Sequence, residues 1–179
     1  MKKNIFIIFA LFMGISITAN AQAPYKNSFG VTVGNMQALS FKTFGGNHFA
    51  FQVDLGTKIT CTDGRVKNNY TFSGWDIWTL ELNPNFIFQG RLAGNLYGLV
   101  GIGASIGYSW NTISWGWFGT TRSDFGKCGA NGIFGMEYKF KAPVALQFDF
   151  RPGYGCLFAE HFDAHYFDWS VNLGVRYTF

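Results

Sequence analysis

The chain ends in SVNLGVRYTF (170–179), a stretch in which every odd position from Val171 to Phe179 is apolar. The even positions hold small, polar or charged residues, Arg176 among them. Successive side chains of a β-strand point to opposite faces, so this alternation predicts a strand with one apolar and one polar face. The same period recurs upstream, and it determines the fold class predicted for the chain.

Period-two alternation divides the sequence into eight predicted strands. Aromatic residues make up 20% of the chain and charged residues 13%. Beyond residue 21 no apolar run approaches the roughly 20 residues of a membrane helix. We therefore predict one all-β domain over residues 22–179. Its strands cover residues 28–34, 38–44, 48–60, 74–89, 96–110, 126–140, 144–156 and 167–179.

Residues 1–21, MKKNIFIIFALFMGISITANA, have the layout of a secretory signal peptide. Lys2 and Lys3 precede an apolar run over 5–17, and small residues around Ala21 predict cleavage after it. Loss of the two lysines lowers the count of Lys and Arg from 14 to 12, against 10 acidic residues. This balance lacks the basic excess of a nucleic-acid-binding protein, so no nucleic-acid partner is expected.

The two faces of the predicted strands differ in polarity. One parity gathers apolar side chains such as Phe29, Leu80 and Val175. The other also carries glycines such as Gly103 and Gly135, which weaken a solvent-facing strand but suit the crowded interior of a narrow barrel. We therefore expect the polar face inside and the apolar face against lipid; the alternative is a soluble, lipocalin-like barrel with the faces reversed. The polar parity holds Lys42, Asp54, Lys58, Glu81, Glu137, Lys139, Asp149, Arg151 and Arg176.

A strand in hydrocarbon must pair all its backbone groups, and only a closed sheet does so. Eight strands just fill their own lumen with side chains, so we expect the nine charged residues to neutralise one another there rather than line an open pore. Short connections near 45–47, 91–95 and 141–143 alternate with long ones near 61–73, 111–125 and 157–166, which fits an up-and-down barrel. Only the first connection, around 35–37, breaks this alternation by being tight. Pro84 cannot donate a ladder bond and predicts a bulge or irregular register in the fourth strand.

Three cysteines, Cys61, Cys128 and Cys156, leave an odd thiol in an oxidising compartment. If the turn at 141–143 centres its hairpin on Ala142, Cys128 and Cys156 lie opposite each other on the outer parity. The spacing therefore predicts a cross-strand disulfide or a close pair of thiols.

Candidate catalytic and metal-binding residues are few. No Ser lies two residues from a histidine on a shared face, so a Ser-His-acid arrangement is not indicated. The predicted fourth loop carries side chains that can bind a divalent cation, the alternative being a solvated polar loop. The glycines recur on strand faces rather than before a helix, which excludes a phosphate-cradling loop. We thus predict no enzyme, catalytic residue, cofactor or metal. The loop residues are Glu160, His161, Asp163, His165 and Asp168.

Four segments carry a resemblance to a known family: GVTVGNMQALSFKTF (30–44), GANGIFGMEYKF (129–140), the strand from Pro143 to Arg151, and LGVRYTF (173–179). Together they resemble the small outer-membrane β-barrels of Bacteroidetes-type bacteria, which are OmpA/OmpX-like in build. The resemblance covers nearly all of the mature chain. Within it, Tyr177 and Phe179 resemble the terminal signal for insertion into the outer membrane by the barrel-assembly machinery.

The resemblance implies location in the outer membrane of a Gram-negative bacterium, with lipid and lipopolysaccharide as surroundings and no assigned catalytic residues. The aromatic third loop, SWGWFGTTRSDF (114–125), departs from the pattern, so no loop-borne role is carried over and the loop partners are unknown. We expect a non-enzymatic barrel with a structural or surface-interaction role through its extracellular loops. The alternatives are a narrow, porin-like channel or small-molecule transporter, and an enzyme that modifies lipid A.

Overall fold

A computed structural model describes residues 23–66, 71–114, 120–159 and 162–179. The expected signal peptide lies outside these residues. Within them no helix is long and apolar enough to cross a membrane, a finding that does not bear on crossing by strands. The eight strands are β1 (Asn27–Gly34), β2 (Met36–Phe44), β3 (Phe49–Val66), β4 (Thr71–Ala93), β5 (Leu96–Ser114), β6 (Thr120–Lys139), β7 (Val144–Ala159) and β8 (Phe162–Thr178).

The strands close into a barrel in chain order. The closing pair is β1 with β8, antiparallel from Ser28 opposite Thr178 to Gly34 opposite Asn172. Adjacent strands are antiparallel around the whole barrel, as short hairpin connections require. The predicted eight-stranded up-and-down barrel is therefore confirmed.

The barrel is apolar outside and polar inside, as the parity of the strands predicted. Ile102 is 73% exposed and Phe86 69%, whereas Lys42, Asp54 and Glu137 are 0% exposed. Soluble proteins rarely expose large contiguous apolar patches. This distribution is instead that of a barrel whose outer face meets hydrocarbon.

All eight strands are longer than predicted, and β3 to β8 lengthen most toward the end of the barrel opposite the short turns, here called the far end. β1 and β2 span 8 and 9 residues, whereas β4 spans 23. The regions 61–73, 111–125 and 157–166 were predicted as long loops, which is wrong because the ladders continue into them. Alternation marks half-buried strands only. In these regions the alternation fades although the backbone ladder continues.

The β1–β2 hairpin ends at Asn35, below the far end, and leaves β3 and β8 as neighbours above it. Val66 pairs there with Ala164. Closer to the hairpin, Lys58 Nζ lies 2.8 Å from Asp168 Oδ2 and links β3 to β8. The far end is therefore formed by β3 to β8.

Pro84 does not produce the predicted bulge. It stands opposite Val53 in continuous register with β3. The ladder with β5 lacks pairs at Asn83 and Pro84 and then resumes in the same register, with Asn85 opposite Gly103. Proline removes a backbone donor but keeps an extended φ, so a ladder bond is lost without a change of register.

Inward glycines make room for large side chains in the lumen. Tyr166 is only 2% exposed, and its ring lies against β6 and β7. A methyl group on Gly155 would lie 2.8 Å from that ring, and one on Gly129 would overlap the Tyr166 hydroxyl. Eight strands leave little interior volume, so glycine is needed wherever a bulky side chain crosses the lumen.

We predict that Ile102→Lys destabilises the barrel in a lipid bilayer by about 2–4 kcal/mol, because a lysine near the bilayer midplane loses its hydration. Unfolding of the variant from lipid vesicles by urea measures this difference. Ile102→Leu is the matched control and should unfold like the wild type. Equal stability of the lysine variant would mean that water, rather than lipid, surrounds this face.

Candidate functional site

The lumen contains the main concentration of charged groups in the described chain. It holds five acidic and five basic side chains, each at most 7% exposed, so their formal charges cancel. Burial of a charge is costly unless the charge is paired and hydrogen-bonded. Eight of these ten residues were predicted from the sequence: Lys42, Asp54, Lys58, Glu81, Glu137, Asp149, Arg151 and Arg176.

The prediction that Lys139 belongs to this network is corrected. Its Nζ donates to the carbonyl oxygens of Phe140 and Ala142, at 2.8 and 2.7 Å. Lys139 is the last residue of β6, where water and the turn carbonyls are within reach of a long side chain. The ammonium group of Lys139 therefore lies outside the lumen, although residue 139 has the parity of the inward-facing residues of β6.

Lys127 and Asp168 belong to the lumen and were missed. Lys127 shares the odd parity of Glu137 on β6, and Asp168 shares the even parity of Arg176 on β8. Parity alone would have found Lys127. Asp168 lies within the predicted strand 167–179, but it had been grouped with the polar residues of the loop that precedes it.

The middle of the lumen is organised around Arg151. Its Nη1 donates to Asp54 Oδ2 at 2.7 Å, and its Nε and Nη2 donate to the two carboxylate oxygens of Asp149 at 2.6 and 3.1 Å. Asp54 also accepts hydrogen bonds from Ser40 Oγ and from Gln52 Nε2. The guanidinium fork thus bridges two carboxylates from different strands, β3 and β7, a geometry that lysine cannot reproduce.

Arg176 extends this middle layer across the closing strands. Its Nη2 donates to Ser40 Oγ at 2.8 Å, and its Nε donates to Gln147 Oε1 at 3.1 Å. The guanidinium also lies 4.0 Å from Asp54. Side chains from β2, β3, β7 and β8 therefore meet here, which leaves the middle of the barrel filled.

At the short-turn end the lumen is capped by the segment preceding β1. The Tyr25 hydroxyl reaches both carboxylate oxygens of Glu137, at 2.8 and 2.9 Å. Lys42 Nζ lies 3.0 Å from the same carboxylate. Burial and the Glu137 charge raise the pKa of Tyr25 well above its usual value, so the phenol stays a neutral donor.

Apolar side chains complete this cap. Phe44, Ile87 and Ile133 point inward and form a buried cluster with Ala50 and Leu99 of neighbouring strands. Tyr25 packs on the cluster, and its ring meets that of Phe44 edge to face at a centroid distance of 5.2 Å. No feature of the sequence distinguished Tyr25, because it precedes the first strand and its hydroxyl contacts Glu137, a residue 112 positions away in the chain.

Toward the far end, a second cluster surrounds Lys127. Its Nζ lies 2.5 Å from Glu81 and 2.7 Å from Asp168, and it stands 4.5 Å from the centre of the Tyr166 ring. Asp168 also accepts a hydrogen bond from Lys58. Two lysines thus share two carboxylates, and the cation–π contact adds to their neutralisation.

The predicted cluster of the fourth loop is divided between opposite faces. Glu160, His161 and the side chain of Asp163 lie outside the described residues. His165 is exposed on the outer face, whereas Asp168 is buried in the lumen, because three residues along a strand reverse the direction of a side chain. Among the described residues, no group of three His, Cys, Asp or Glu could hold a metal ion.

The described histidines do not reach the lumen. His48 lies at the short-turn end, where its Nδ1 is 3.3 Å from the Gln89 carbonyl oxygen and its ring stacks on Phe88. His165 faces outward on β8. Within the described part of the chain, no imidazole lies beside a lumenal serine, and the acids are engaged by cations and amides. The network neutralises and fills the barrel rather than presenting a nucleophile and base.

Cys128 and Cys156 lie directly opposite each other on β6 and β7. This is the register that the turn at 141–143 predicted. Both are free thiols in the structure, so the disulfide remains a prediction. The side chain of Cys61 lies outside the described residues.

The terminal pair of aromatic residues lies on the outer face. Tyr177 is 57% exposed and Phe179 59%, and their rings stack at a centroid distance of 6.1 Å. The backbone of Phe179 also exchanges two hydrogen bonds with Asn27, at 2.8 and 2.9 Å. Both rings are therefore accessible to lipid or to another protein.

The outer face also carries an apolar hollow of about 590 Å³ at the short-turn end. Its wall includes Phe51, Phe86, Ile102 and Phe134, with Gly132 at a place where a side chain would meet the Phe134 ring and reduce the space. An acyl chain suits such a surface. The hollow lies outside the lumen and offers no passage through it.

Comparison with solved structures supports the fold. The chain is similar to Neisserial surface protein A (NspA), with a TM-score of 0.59 and 16% identity, over 86% of this chain and 93% of that one. It is also similar to the N-terminal β-barrel domain of OprF from Pseudomonas aeruginosa, with a TM-score of 0.57 and 15% identity, over 89% of this chain and 100% of that domain. No protein-family model and no curated protein matches the sequence.

We predict that Arg151→Met lowers the free energy of unfolding by about 3–5 kcal/mol, because it leaves the Asp54 and Asp149 carboxylates buried without their shared cation. Urea titration of the folded barrel, followed by its heat-modifiable migration on gels, measures the change. Lys139→Met removes a base from the exposed turn and should cost less than about 1 kcal/mol. Similar losses for the two variants would contradict the pairing described here.

Proposed function

We propose that the chain is a non-enzymatic barrel of the Gram-negative outer membrane, with a structural and surface-interaction role. Export would use the signal peptide at 1–21, and insertion by the barrel-assembly machinery would use the terminal aromatic pair Tyr177 and Phe179. The small Bacteroidetes-type barrels that the sequence resembles have this organisation. The single observation that carries the functional proposal is the filled, charge-neutral lumen.

Three successive layers obstruct the lumen. Tyr25 caps the short-turn end over an apolar cluster, Arg151 and Arg176 fill the middle, and Lys127 with Tyr166 fills the part nearer the far end. Each layer joins side chains from several strands. A solute would have to break buried ion pairs in every layer, so the barrel body favours an anchoring role over conduction.

The far end supports contacts outside the membrane. A membrane-spanning strand needs about 9–11 residues. β1 and β2 have 8 and 9, but β7 has 16 and β4 has 23. The six long strands therefore carry an extension beyond the hydrocarbon, which can contact lipopolysaccharide, host surfaces or other proteins.

The two other functional classes receive less support. A narrow channel or transporter needs a continuous polar path, whereas the lumenal groups bind one another. A lipid A-modifying enzyme needs an activated nucleophile facing the membrane or the lumen. The described lumenal acids, such as Asp54 and Asp149, are held by Arg151 and by amide donors, as structural carboxylates are.

We expect the purified barrel to give no steady single-channel steps in planar bilayers, because the ion pairs of the lumen stay closed. A general porin reconstituted in the same lipid serves as the positive control. Intact folding is checked in parallel by heat-modifiable migration. Reproducible conductance steps from folded protein would favour the transporter instead.

We also expect lipid A from a strain that lacks the gene to have the same mass spectrum as lipid A from the parent strain. A missing or added acyl chain, restored by the complementing gene, would favour the enzyme. Complementation with Arg151→Met indicates whether such an effect needs the intact barrel.

A further inference from the structure

Three reactive side chains form one row across the outer face near the far end. Cys128 on β6 stands opposite Cys156 on β7, and Cys156 stands opposite His165 on β8. Cys128 and His165 are exposed and Cys156 is half-buried. His165 was not recognisable from the sequence as a partner of the cysteines, because only the registers of two successive hairpins align it with them.

Cys128 and Cys156 occupy positions that a disulfide bond can join. Directly opposed residues of an antiparallel pair have Cα atoms about 4.5–5.5 Å apart. Disulfides join Cα atoms about 4.4–6.8 Å apart. Cys128 and Cys156 also share the outward face, so a bond between them needs no change in register.

Cys156 has a base in contact with it. The Cys156 sulfur lies 3.4 Å from Nδ1 of His165. In the tautomer that carries its proton on Nε2, Nδ1 accepts the hydrogen bond from the thiol. The His165 ring stacks on that of Tyr154, with a centroid distance of 6.0 Å and an angle of 4° between the planes, which orients the imidazole. Cys156 is therefore placed as the nucleophile, and Cys128 as the second thiol.

The row lies near the outer edge of the membrane. Cys156 is 12 residues along β7 from Val144, which begins the strand at the short-turn end. Because the strands tilt from the barrel axis, these 12 residues span about 30 Å along that axis. The apolar band of an outer-membrane barrel is about 25 Å tall. Water-soluble reagents can thus reach the row from the far end.

We propose that Cys156, Cys128 and His165 form a thiol–disulfide exchange site that reacts with low-molecular-weight disulfides. Cys156 transfers its proton to His165 Nδ1, and the thiolate attacks one sulfur of the external disulfide. The S–S bond of the reagent breaks, one thiolate leaves and takes the proton, and a mixed disulfide remains on Cys156.

Cys128 completes the exchange. Its thiolate attacks the Cys156 sulfur, a bond forms between the two cysteines, and the second reagent thiolate leaves with the proton of Cys128. The two protein thiols are oxidised, and one external disulfide is reduced to two thiols. An external thiol in excess reverses both steps.

The first test treats purified, folded barrel with glutathione disulfide in a Cys61→Ser background, so that only the pair reacts. Intact mass should fall by two hydrogens, and peptide mapping should locate a Cys128–Cys156 bond. Cys128→Ser should stop at the mixed disulfide on Cys156, whereas Cys156→Ser should react slowly. Two free thiols after prolonged treatment, or faster reaction at Cys128, would overturn the proposal.

The second test concerns the base. We expect His165→Gln to slow alkylation of Cys156 by iodoacetamide about a hundredfold, the lower range for general base catalysis. Free imidazole should restore part of the rate to His165→Ala, which a purely structural role would not allow. His48→Gln, at the opposite end, is the matched control and should react like the parent protein. Unchanged reactivity of His165→Gln would remove the histidine from the mechanism.

A third measurement depends on the proposed outer-membrane location, whereas the first two do not. Intact cells that carry the Cys61→Ser protein are labelled with a membrane-impermeant maleimide. Labelling of Cys156 supports both the site and its outward orientation. Exchange in the purified protein without labelling of cells would retain the reactive site and contradict its placement at the cell surface.

Discussion

The structure depends on the pairing of Arg151 with Asp54 and Asp149 in the middle of a closed sheet. An apolar outer face requires the polar side chains to turn inward, and eight strands leave no room there for bulk water. Every inward charge must then find an opposite charge among the neighbouring strands. The balance of five acids and five bases in the described lumen follows from this constraint.

The need to pair every inward charge also distinguishes the body of the barrel from its outer face and its far end. Side chains that neutralise one another across strands hold the register of the sheet, but they are then committed to one another and cannot easily bind a solute. Lys127 illustrates this, since its ammonium group is shared between two carboxylates and the Tyr166 ring. In the proposed function, interaction with the surroundings is left to the outer face and to the strands that extend at the far end.

Chemical reactivity in this fold is created by register. Cys128, Cys156 and His165 are far apart in the sequence, yet two hairpins align them in one row outside the lumen. The lumenal acids, by contrast, are close to many titratable groups, and each is already paired with a base. Reactive residue types that lie close together therefore indicate a reactive site only when the faces of the sheet on which they lie are known.

The amino-acid pattern sorted the strand side chains into two faces, because parity along a strand decides the face of a side chain without reference to its neighbours. The glycines on the polar face then indicated that this face is the inner one. The sequence therefore predicted the closed barrel, eight of the lumenal charges and the opposition of Cys128 and Cys156. It missed the strand ends toward the far end, where the alternation fades although the ladders continue. It also placed Lys139 in the lumen, whereas this long side chain reaches the turn carbonyls. Only the tertiary structure decided the contacts of Tyr25 with Glu137 and of His165 with Cys156, because these depend on how separate strands are staggered around the barrel.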